Sequence, residues 1–241
     1  MQTKYNFDFI SGETLLVNKP FSWTSFDVVN KVRSAIKIHL NISRIRIGHA
    51  GTLDPLATGL LVLCTGKFTK RIESIQDLEK EYSGVFRLGS TTPSFDLETD
   101  FDREYQYEHI KLSDVEGAAQ KLTGEIFQVP PVFSAIKVGG RRAYSYARND
   151  EELQLKARKV NIHSFRIESF LPPDIKFRIV CSKGTYIRAI ARDLGVMLNT
   201  GAHLYSLHRD RIGDFTSEKA FNLDELLDLI IKMGNNLKKE K

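Results

Sequence analysis

The stretch Gly48–Gly59, with the sequence GHAGTLDPLATG, constrains this chain more than any other segment. It presents one carboxylate, Asp54, directly before Pro55 and between glycines. Proline disfavours the helical conformation for the preceding residue, so Asp54 is expected in a rigid, extended loop, which suits a nucleophile or a general base. Asp-Pro is also a common helix start, with Asp as the N-cap, and the dipeptide alone leaves both interpretations open.

The composition is that of a globular protein with a sizeable core. The chain has 241 residues, of which 41% are hydrophobic and 27% charged. No apolar run approaches the roughly 18 residues that a membrane span requires, and the strongest run, residues 59–64, predicts a buried strand. The N-terminal residues 1–6 begin without the apolar core of a signal peptide, which favours a cytoplasmic location. Cys64 and Cys181 lack metal-ligand spacing and are predicted to be reduced core residues.

The charge is unevenly distributed. The formal net charge is +5, and the segment from Lys137 to Arg192 holds 13 basic and 5 acidic residues. Such a segment is typical of a face that binds a polyanion. A solvated surface with scattered basic side chains is the alternative, and charge alone does not separate the two.

Periodicity and capping signals predict one mixed α/β (α+β) domain. A capping box at Thr24–Asp27 opens a helix to about Ile38, and a second at Ser113–Glu116 opens one that Gly124 stops. Further helices are predicted over residues 69–79, from Gly184 to Leu194 and from Asn222 onwards. Strands are predicted over residues 12–19, 60–64, 81–88, 160–170 and 175–181.

Motifs for nucleotide or metal binding are missing from the sequence. It contains no Walker loop, no dinucleotide-binding fingerprint and no spaced His/Cys ligands. We therefore expect no cofactor, no metal and no nucleotide.

The Gly48–Gly59 string resembles the catalytic loop of the TruB family of pseudouridine synthases. The resemblance continues from Val17-Asn18-Lys19-Pro20 to about Phe215. It implies an extended, largely antiparallel sheet flanked by helices, with a central RNA-binding cleft. It also implies an isomerase that converts the T-loop uridine (U55) of tRNA to pseudouridine on a flipped-out base. Asp54 matches the catalytic aspartate of the family.

Three further residues match the family's active site. Arg188 matches the arginine that would keep Asp54 ionised, since a guanidinium stays charged and can hold a carboxylate. Tyr82 matches a tyrosine that stacks on the extruded uracil. Asp96 aligns with an aspartate that holds the arginine, although Pro93 and Phe95 depart from the usual pattern. From the residues alone, Arg188 could be a surface residue, Tyr82 a core strand residue and Asp96 part of an Asx-turn.

The resemblance also assigns residues to loop support and to RNA contact. Lys19 matches a lysine that supports the catalytic loop, and His49 matches a histidine near the flipped base. A basic, aromatic insertion at about 130–160 matches a thumb that closes over tRNA, or it is a disordered loop. The RNA-contacting set is His49, Lys70, Lys137, Arg141, Arg142 and Tyr144.

Only about twenty-five residues follow Phe215, too few for the C-terminal PUA-type domain of many family members. We therefore expect this catalytic domain, as a monomer, to bind the T arm of tRNA by itself.

Overall fold

The computed structural model describes residues 7–134, 136–147, 149, 151 and 153–239, so the prediction for residues 1–6 lies outside it. The helices are α1 (Ser25–Leu40), α2 (Ile72–Asp77), α3 (Leu112–Lys121), α4 (Ala143–Ala147), α5 (Ile187–Met197) and α6 (Leu223–Lys239), with 3₁₀ turns at Gly66–Arg71 and Ser217–Lys219. The strands are β1 (Thr14–Lys19), β2 (Ile47–His49), β3 (Thr58–Thr65), β4 (Lys80–Leu88), β5 (Ser90–Thr91), β6 (Arg103–Glu104), β7 (Gly124–Gln128), β8 (Lys137–Val138), β9 (Arg141–Arg142), β10 (Arg158–Leu171), β11 (Asp174–Cys181), β12 (Ala202–Ile212), β13 (Phe215–Thr216) and β14 (Phe221–Asn222).

The chain divides into two compact units. The first unit comprises Met1–Lys80 and His208–Lys241, and the second comprises Glu81–Leu207. The main sheet has ten strands, is mostly antiparallel and carries packed helices, which confirms the predicted mixed α/β class. The organisation as a single domain stays a prediction.

In the first unit the strand order is β14-β1-β3-β12, with β2 beside β3 and β13 beside β12. Strands β1 and β2 pair antiparallel with β3, whereas β12 runs parallel to it. Strand β3 is apolar on both faces because both faces are covered. Leu61 and Leu63 pack with the apolar stripes of α1 and α6, while Leu60 and Val62 lie in a second cluster on the opposite face.

Helix α1 begins at the predicted capping box. The Thr24 side chain accepts the N–H of Asp27, and the Asp27 carboxylate accepts the N–H of Thr24. The predicted stripe of Val28, Val32 and Ile36 is fully buried. This stripe packs the helix onto β1 and β3 and brings its N-terminus beside the loop that precedes β3.

In the second unit the strand order is β12-β4-β11-β10-β7, where β12 contributes residues 202–207. Strands β10 and β11 form a long antiparallel hairpin, and β7 pairs with the start of β10. The rings of Phe86 and Phe177 stack with centroids 3.9 Å apart, and Phe165 meets both edge-on. Helix α3 packs against β10 and α5.

Two predicted helices are present but with different bounds. Helix α3 begins at Leu112 rather than after Ser113, because the Asp114 carboxylate accepts the N–H of Lys111 and so closes the first turn earlier. The helix predicted over residues 69–79 is a 3₁₀ turn followed by the short α2. Strand β12 was not predicted from its residues, because buried polar side chains such as His203 and Arg209 interrupt its apolar pattern.

Helix packing in the first unit gives a stability prediction. At Gly234 of α6, an added Cβ would overlap the backbone carbonyl of His39 at the end of α1. We expect Gly234→Ala to lower the free energy of unfolding by about 1–3 kcal/mol, because the two helices must separate. At Gly117 of α3, no atom beyond the adjoining helix backbone lies within 4 Å of the added Cβ. Gly117→Ala should therefore raise the free energy of unfolding by about 0.5–1 kcal/mol. Urea denaturation of the two variants checks this, and shifts of the same sign would contradict it.

Candidate active site

Residues 51–57, termed here the Asp54 loop, connect β2 to β3. The carbonyl oxygen of Asp54 accepts the N–H of Ala57 at 3.1 Å, so the chain turns tightly at Pro55 and enters β3. No helix begins at this Asp-Pro pair, which rules out the helix-start interpretation. The Asp54 side chain is partly exposed, whereas its neighbours Leu53 and Ala57 are buried. The loop therefore anchors its apolar residues and presents its carboxylate.

A glycine closes the loop against the neighbouring strand. Gly59 has a φ of 99°, a left-handed conformation that a residue with a Cβ rarely adopts. A Cβ at this position would also overlap the backbone of Arg209 on β12. Gly59 thus allows β12 to approach the end of the Asp54 loop.

Lys19 holds the loop from one side. It ends the row of alternate β1 residues that point into the core, and it is only 1% exposed. Its Nζ donates hydrogen bonds to the carbonyl oxygens of Pro55 at 3.0 Å, Trp23 at 2.6 Å and Pro20 at 2.9 Å. One buried ammonium group therefore ties the residue after Asp54 to the segment that leads into α1.

Ser25, the first residue of α1, fixes the residue before Asp54. Its hydroxyl accepts the N–H of Leu53 at 2.9 Å and lies 3.2 Å from the carbonyl oxygen of the same residue, to which it can donate. Both polar backbone groups of Leu53 are thus bonded inside the protein. Side chains thus bond the carbonyl oxygens of the two residues that flank Asp54, Leu53 through Ser25 and Pro55 through Lys19.

Arg209 of β12 holds the beginning of the loop. It is 1% exposed, and its guanidinium donates to the carbonyl oxygens of Gly51 at 3.0 Å, Thr52 at 3.4 Å and Leu60 at 2.8 Å. The planar guanidinium can serve several acceptors in one plane, which a lysine ammonium cannot do in the same way. Arg209 therefore joins the beginning of the Asp54 loop to β3.

Burial shapes the protonation of the two basic groups near Asp54. Burial lowers the pKa of Lys19 from the usual 10.5 to about 8, and Arg209 adds to the lowering, while the Asp54 carboxylate opposes it. Burial also lowers the pKa of His49, again with a contribution from Arg209. The lowered pKa favours the neutral form of His49 over the charged form.

In the second unit, Arg188 lies buried in the first turn of α5. Its Nε is 3.5 Å from a carboxylate oxygen of Asp96, and its two terminal nitrogens donate to the carbonyl oxygens of Ser94 at 3.1 Å and Phe133 at 2.9 Å. Asp96 is also buried and accepts hydrogen bonds from the Ser94 hydroxyl and from the N–H of Glu98. The pair is thus fixed by contacts on both partners.

The segment that carries Asp96 is strained. Phe95 has a φ of 63°, a left-handed conformation uncommon for a bulky residue. Its carbonyl oxygen accepts the N–H of Leu204 at 2.8 Å, and its ring lies 5.1 Å from the guanidinium carbon of Arg192. These contacts offset the strain and set the direction of the Asp96 side chain.

Tyr82 lies on the buried face of β4, the face that also carries Phe86 and Leu88. Lys70, at the end of the first 3₁₀ turn, is exposed.

The basic insertion forms a hairpin of β8 and β9 through Gly139 and Gly140, both with positive φ, followed by α4. The exposed side chains of this hairpin and of the start of α4 are those of Lys137, Arg141, Arg142 and Tyr144.

The structure brings the predicted site residues together in two groups. Asp54, Lys19 and His49 belong to the first unit, together with Lys70. Tyr82, Asp96 and Arg188 belong to the second unit, together with the insertion residues. The proximity of Asp54 to Arg188 and Tyr82 stays a prediction.

Within the described part of the chain, no three His, Cys, Asp or Glu side chains cluster as metal ligands, and no helix is long and apolar enough to cross a membrane.

Sequence reasoning missed Arg209 and Ser25. Arg209 lies in the pattern LHRDRI, where three charged residues look like a solvated surface. Ser25 was noted only as part of a helix cap. The one sequence signal that covered Arg209 was the family resemblance, which extends to about Phe215 but assigned no role to this residue.

Solved structures identify the fold. The chain is similar to one in a crystal structure of a Cbf5-Nop10-Gar1 complex, with a TM-score of 0.70 and 24% identity over 91% of this chain and 54% of the other. It is also similar to a chain in the structure of an H/ACA RNP bound to a substrate RNA containing 2'-deoxyuridine, with a TM-score of 0.68 and 22% identity over 94% and 55%. This chain thus spans about half the length of these structural neighbours, which share its fold.

Sequence comparisons identify the family. The family model for the N-terminal domain of TruB family pseudouridylate synthases matches residues 37–187, and the model for the tRNA pseudouridylate synthase B C-terminal domain matches residues 188–241. A protein of Parabacteroides distasonis named tRNA pseudouridine synthase B is 49% identical over 97% of this chain and 100% of its own length. One of the same name from Flavobacterium johnsoniae is 47% identical over 90% and 95%. The chain belongs to the TruB family of pseudouridylate synthases, and it is an isomerase.

The pKa of Lys19 gives a pH prediction. Between pH 8 and 10.5 the folded state has released the Lys19 proton while the unfolded state keeps it, so the free energy of unfolding rises with pH in this window. Lys19→Met removes this rise, which we expect to total about 3 kcal/mol. Urea denaturation of both proteins from pH 7.5 to 10.5 measures it, with Lys37→Met as a control for the loss of one exposed positive charge. Parallel stability curves for wild type and Lys19→Met would contradict the assignment.

Arg209 gives a second prediction. Arg209→Met leaves buried carbonyl oxygens without their donors, so it should lower the free energy of unfolding by about 3 kcal/mol or more. Arg211, two residues along β12, pairs instead with Glu79 at 2.7 Å near the surface, and Arg211→Met should cost at most about 1 kcal/mol. Chemical denaturation of both variants distinguishes the two positions. Equal losses would show that the contacts of Arg209 with the loop carry no special weight.

Proposed function

We propose that this chain converts the T-loop uridine (U55) of tRNA to pseudouridine, with Asp54 as its catalytic carboxylate. The observation that carries this proposal is the near full-length match to proteins named tRNA pseudouridine synthase B. The geometry of the Asp54 loop supports it. We further propose that the protein acts in the cytoplasm as a monomer.

The reaction explains why Asp54 must be both ionised and immobile. The bond between C1′ of the ribose and N1 of the uracil breaks, the base turns, and a new bond joins C1′ to C5. The C5 proton is lost and N1 is protonated, so the product is an isomer of the substrate and no net oxidation or reduction occurs. A carboxylate serves this sequence as a nucleophile or as a counter-charge to an electron-deficient sugar. Both roles require a negative charge at a fixed position.

The contacts of the first unit would supply that fixed position. Lys19, Ser25 and Arg209 bond the peptide groups around Asp54, so its backbone loses little freedom when substrate binds. Lys19 also places a positive charge close enough to attract the Asp54 carboxylate, and this attraction would strengthen once RNA covers the loop and excludes water. In this proposal Lys19 and Arg209 are positioning residues.

The second unit would supply the partners of the flipped base. We propose that Arg188, held by Asp96, is the active-site arginine and that Tyr82 stacks on the extruded uracil. Neutral His49 would hydrogen-bond to RNA near the base. Exposed Lys137, Arg142 and Tyr144 would contact the T arm, and Arg141 would join them by exchanging its exposed ion pair with Glu151, which costs little.

The decisive test uses an unmodified T-arm hairpin as substrate. We expect wild-type protein to form pseudouridine at the T-loop uridine, and Asp54→Asn to be at least about 100-fold slower while binding the hairpin normally. The exposed Asp100→Asn serves as the matched control and should retain full activity. Pseudouridine mapping and a filter-binding assay measure both quantities. Tight binding by the wild type without product would favour an RNA-binding protein that has lost catalysis.

A further inference from the structure

A cavity of about 270 Å³ in the first unit is lined by four basic side chains. They come from the segment that enters β2 and from the 3₁₀ turn that follows β3. Among the described residues no acidic side chain lines it, and the remaining lining is apolar or neutral. The basic residues are Arg44, Arg46, Lys67 and Lys70.

Local geometry explains why these cations converge. Arg44 and Arg46 are exposed, whereas Ile45 between them packs against the core, so the two arginines lie on the same side of the chain. Lys67 and Lys70 are three residues apart in a 3₁₀ turn, where such residues lie one above the other. The N–H of Gly66 donates to the carbonyl oxygen of Arg46 at 2.9 Å and joins the two segments.

Four positive charges line this cavity, and no acidic side chain among the described residues lines it with them. The backbone N–H groups of Ser11 and Ile10 lower the pKa of the nearby Asp8, and Lys67 adds to the lowering, so Asp8 offsets part of the charge of this one lysine. Like charges held together repel, and an anion bound among them relieves this repulsion. Two arginine forks beside two ammonium groups suit a phosphate, which accepts several charge-assisted hydrogen bonds.

The cavity and the Asp54 loop lie at opposite ends of the β2–β3 pair. Ile47 pairs with Thr65 at the cavity end, and His49 pairs with Leu63 towards the loop. The eight residues of β3 span about 25 Å between these ends. A nucleotide whose base reaches Asp54 cannot also place its own phosphate in this cavity.

We propose that this cavity holds a backbone phosphate of the substrate RNA, several nucleotides away from the uridine at Asp54. The proposal rests on the proposed function and adds Arg44, Arg46 and Lys67 to the expected contact of Lys70. The cavity is a binding site that acts on RNA affinity and orientation, whereas the chemistry takes place at the Asp54 loop.

Charge-removing variants test the proposal. Two double variants each remove two positive charges from the cavity, Arg44→Gln/Arg46→Gln and Lys67→Gln/Lys70→Gln. The control is Lys37→Gln/Lys232→Gln, which removes two exposed positive charges elsewhere in the first unit. On an unmodified T-arm hairpin, we expect each cavity variant to raise the Kd for RNA about tenfold. The log of the binding constant should also fall less steeply with the log of the salt concentration, by about 1 in slope for each phosphate that the variant no longer neutralises. Single-turnover rates at saturating RNA should stay within about twofold of wild type, as a binding site remote from the reacting base predicts.

A shortened hairpin that keeps the T loop but lacks the distal stem phosphates provides the second arm. On this RNA the cavity variants and wild type should bind equally, because the remote phosphate is gone. Cavity variants that bind the full hairpin like the control pair, or that react more slowly at saturating RNA, would overturn the proposal. A wild-type protein that binds but forms no pseudouridine would instead refute the proposed function, and the binding comparison would still decide the role of the cavity.

Discussion

The carbonyl oxygens of the Asp54 loop are hydrogen-bonded to two buried cations, and much of the first unit depends on these bonds. Lys19 and Arg209 are both about 1% exposed, and each donates to three carbonyl oxygens. A buried cation is costly unless its donors are satisfied, so each requires the loop in this conformation. The loop in turn needs both cations, because its carbonyl oxygens at Gly51, Thr52 and Pro55 point inwards.

This arrangement links the stability of the first unit to the fixed position of the Asp54 carboxylate. Apolar side chains at positions 19 and 209 would avoid the cost of burying charge, but they could not bond the loop or place positive charge near Asp54. The lowered pKa of Lys19 is the measurable sign of that cost. We infer that the first unit gives up stability in exchange for a fixed carboxylate.

The second unit also holds a buried cation in place by hydrogen bonds and charge, but with different partners. Arg188 is held by a buried carboxylate and by two carbonyl oxygens, and the left-handed Phe95 sets the carboxylate in place. Both groups of site residues thus rest on buried ionic side chains that bond to irregular backbone. The exposed basic side chains of the β8–β9 hairpin and of the 270 Å³ cavity are not held by such buried bonds, and they suit contacts with phosphates.

The sequence by itself determined the features that local patterns encode. The Gly48–Gly59 string predicted the rigid loop and the family, the Thr24–Asp27 box predicted the start of α1, and the apolar run predicted β3. The Ser113–Glu116 box was placed too late, since the carboxylate that caps α3 is that of Asp114, which accepts the N–H of Lys111. Only the tertiary structure decided that Arg209 is buried and bonds to Leu60, 149 positions away in the chain. No local pattern encodes such a contact, because it exists only once β12 lies parallel to β3 and Gly59 lets the two backbones meet.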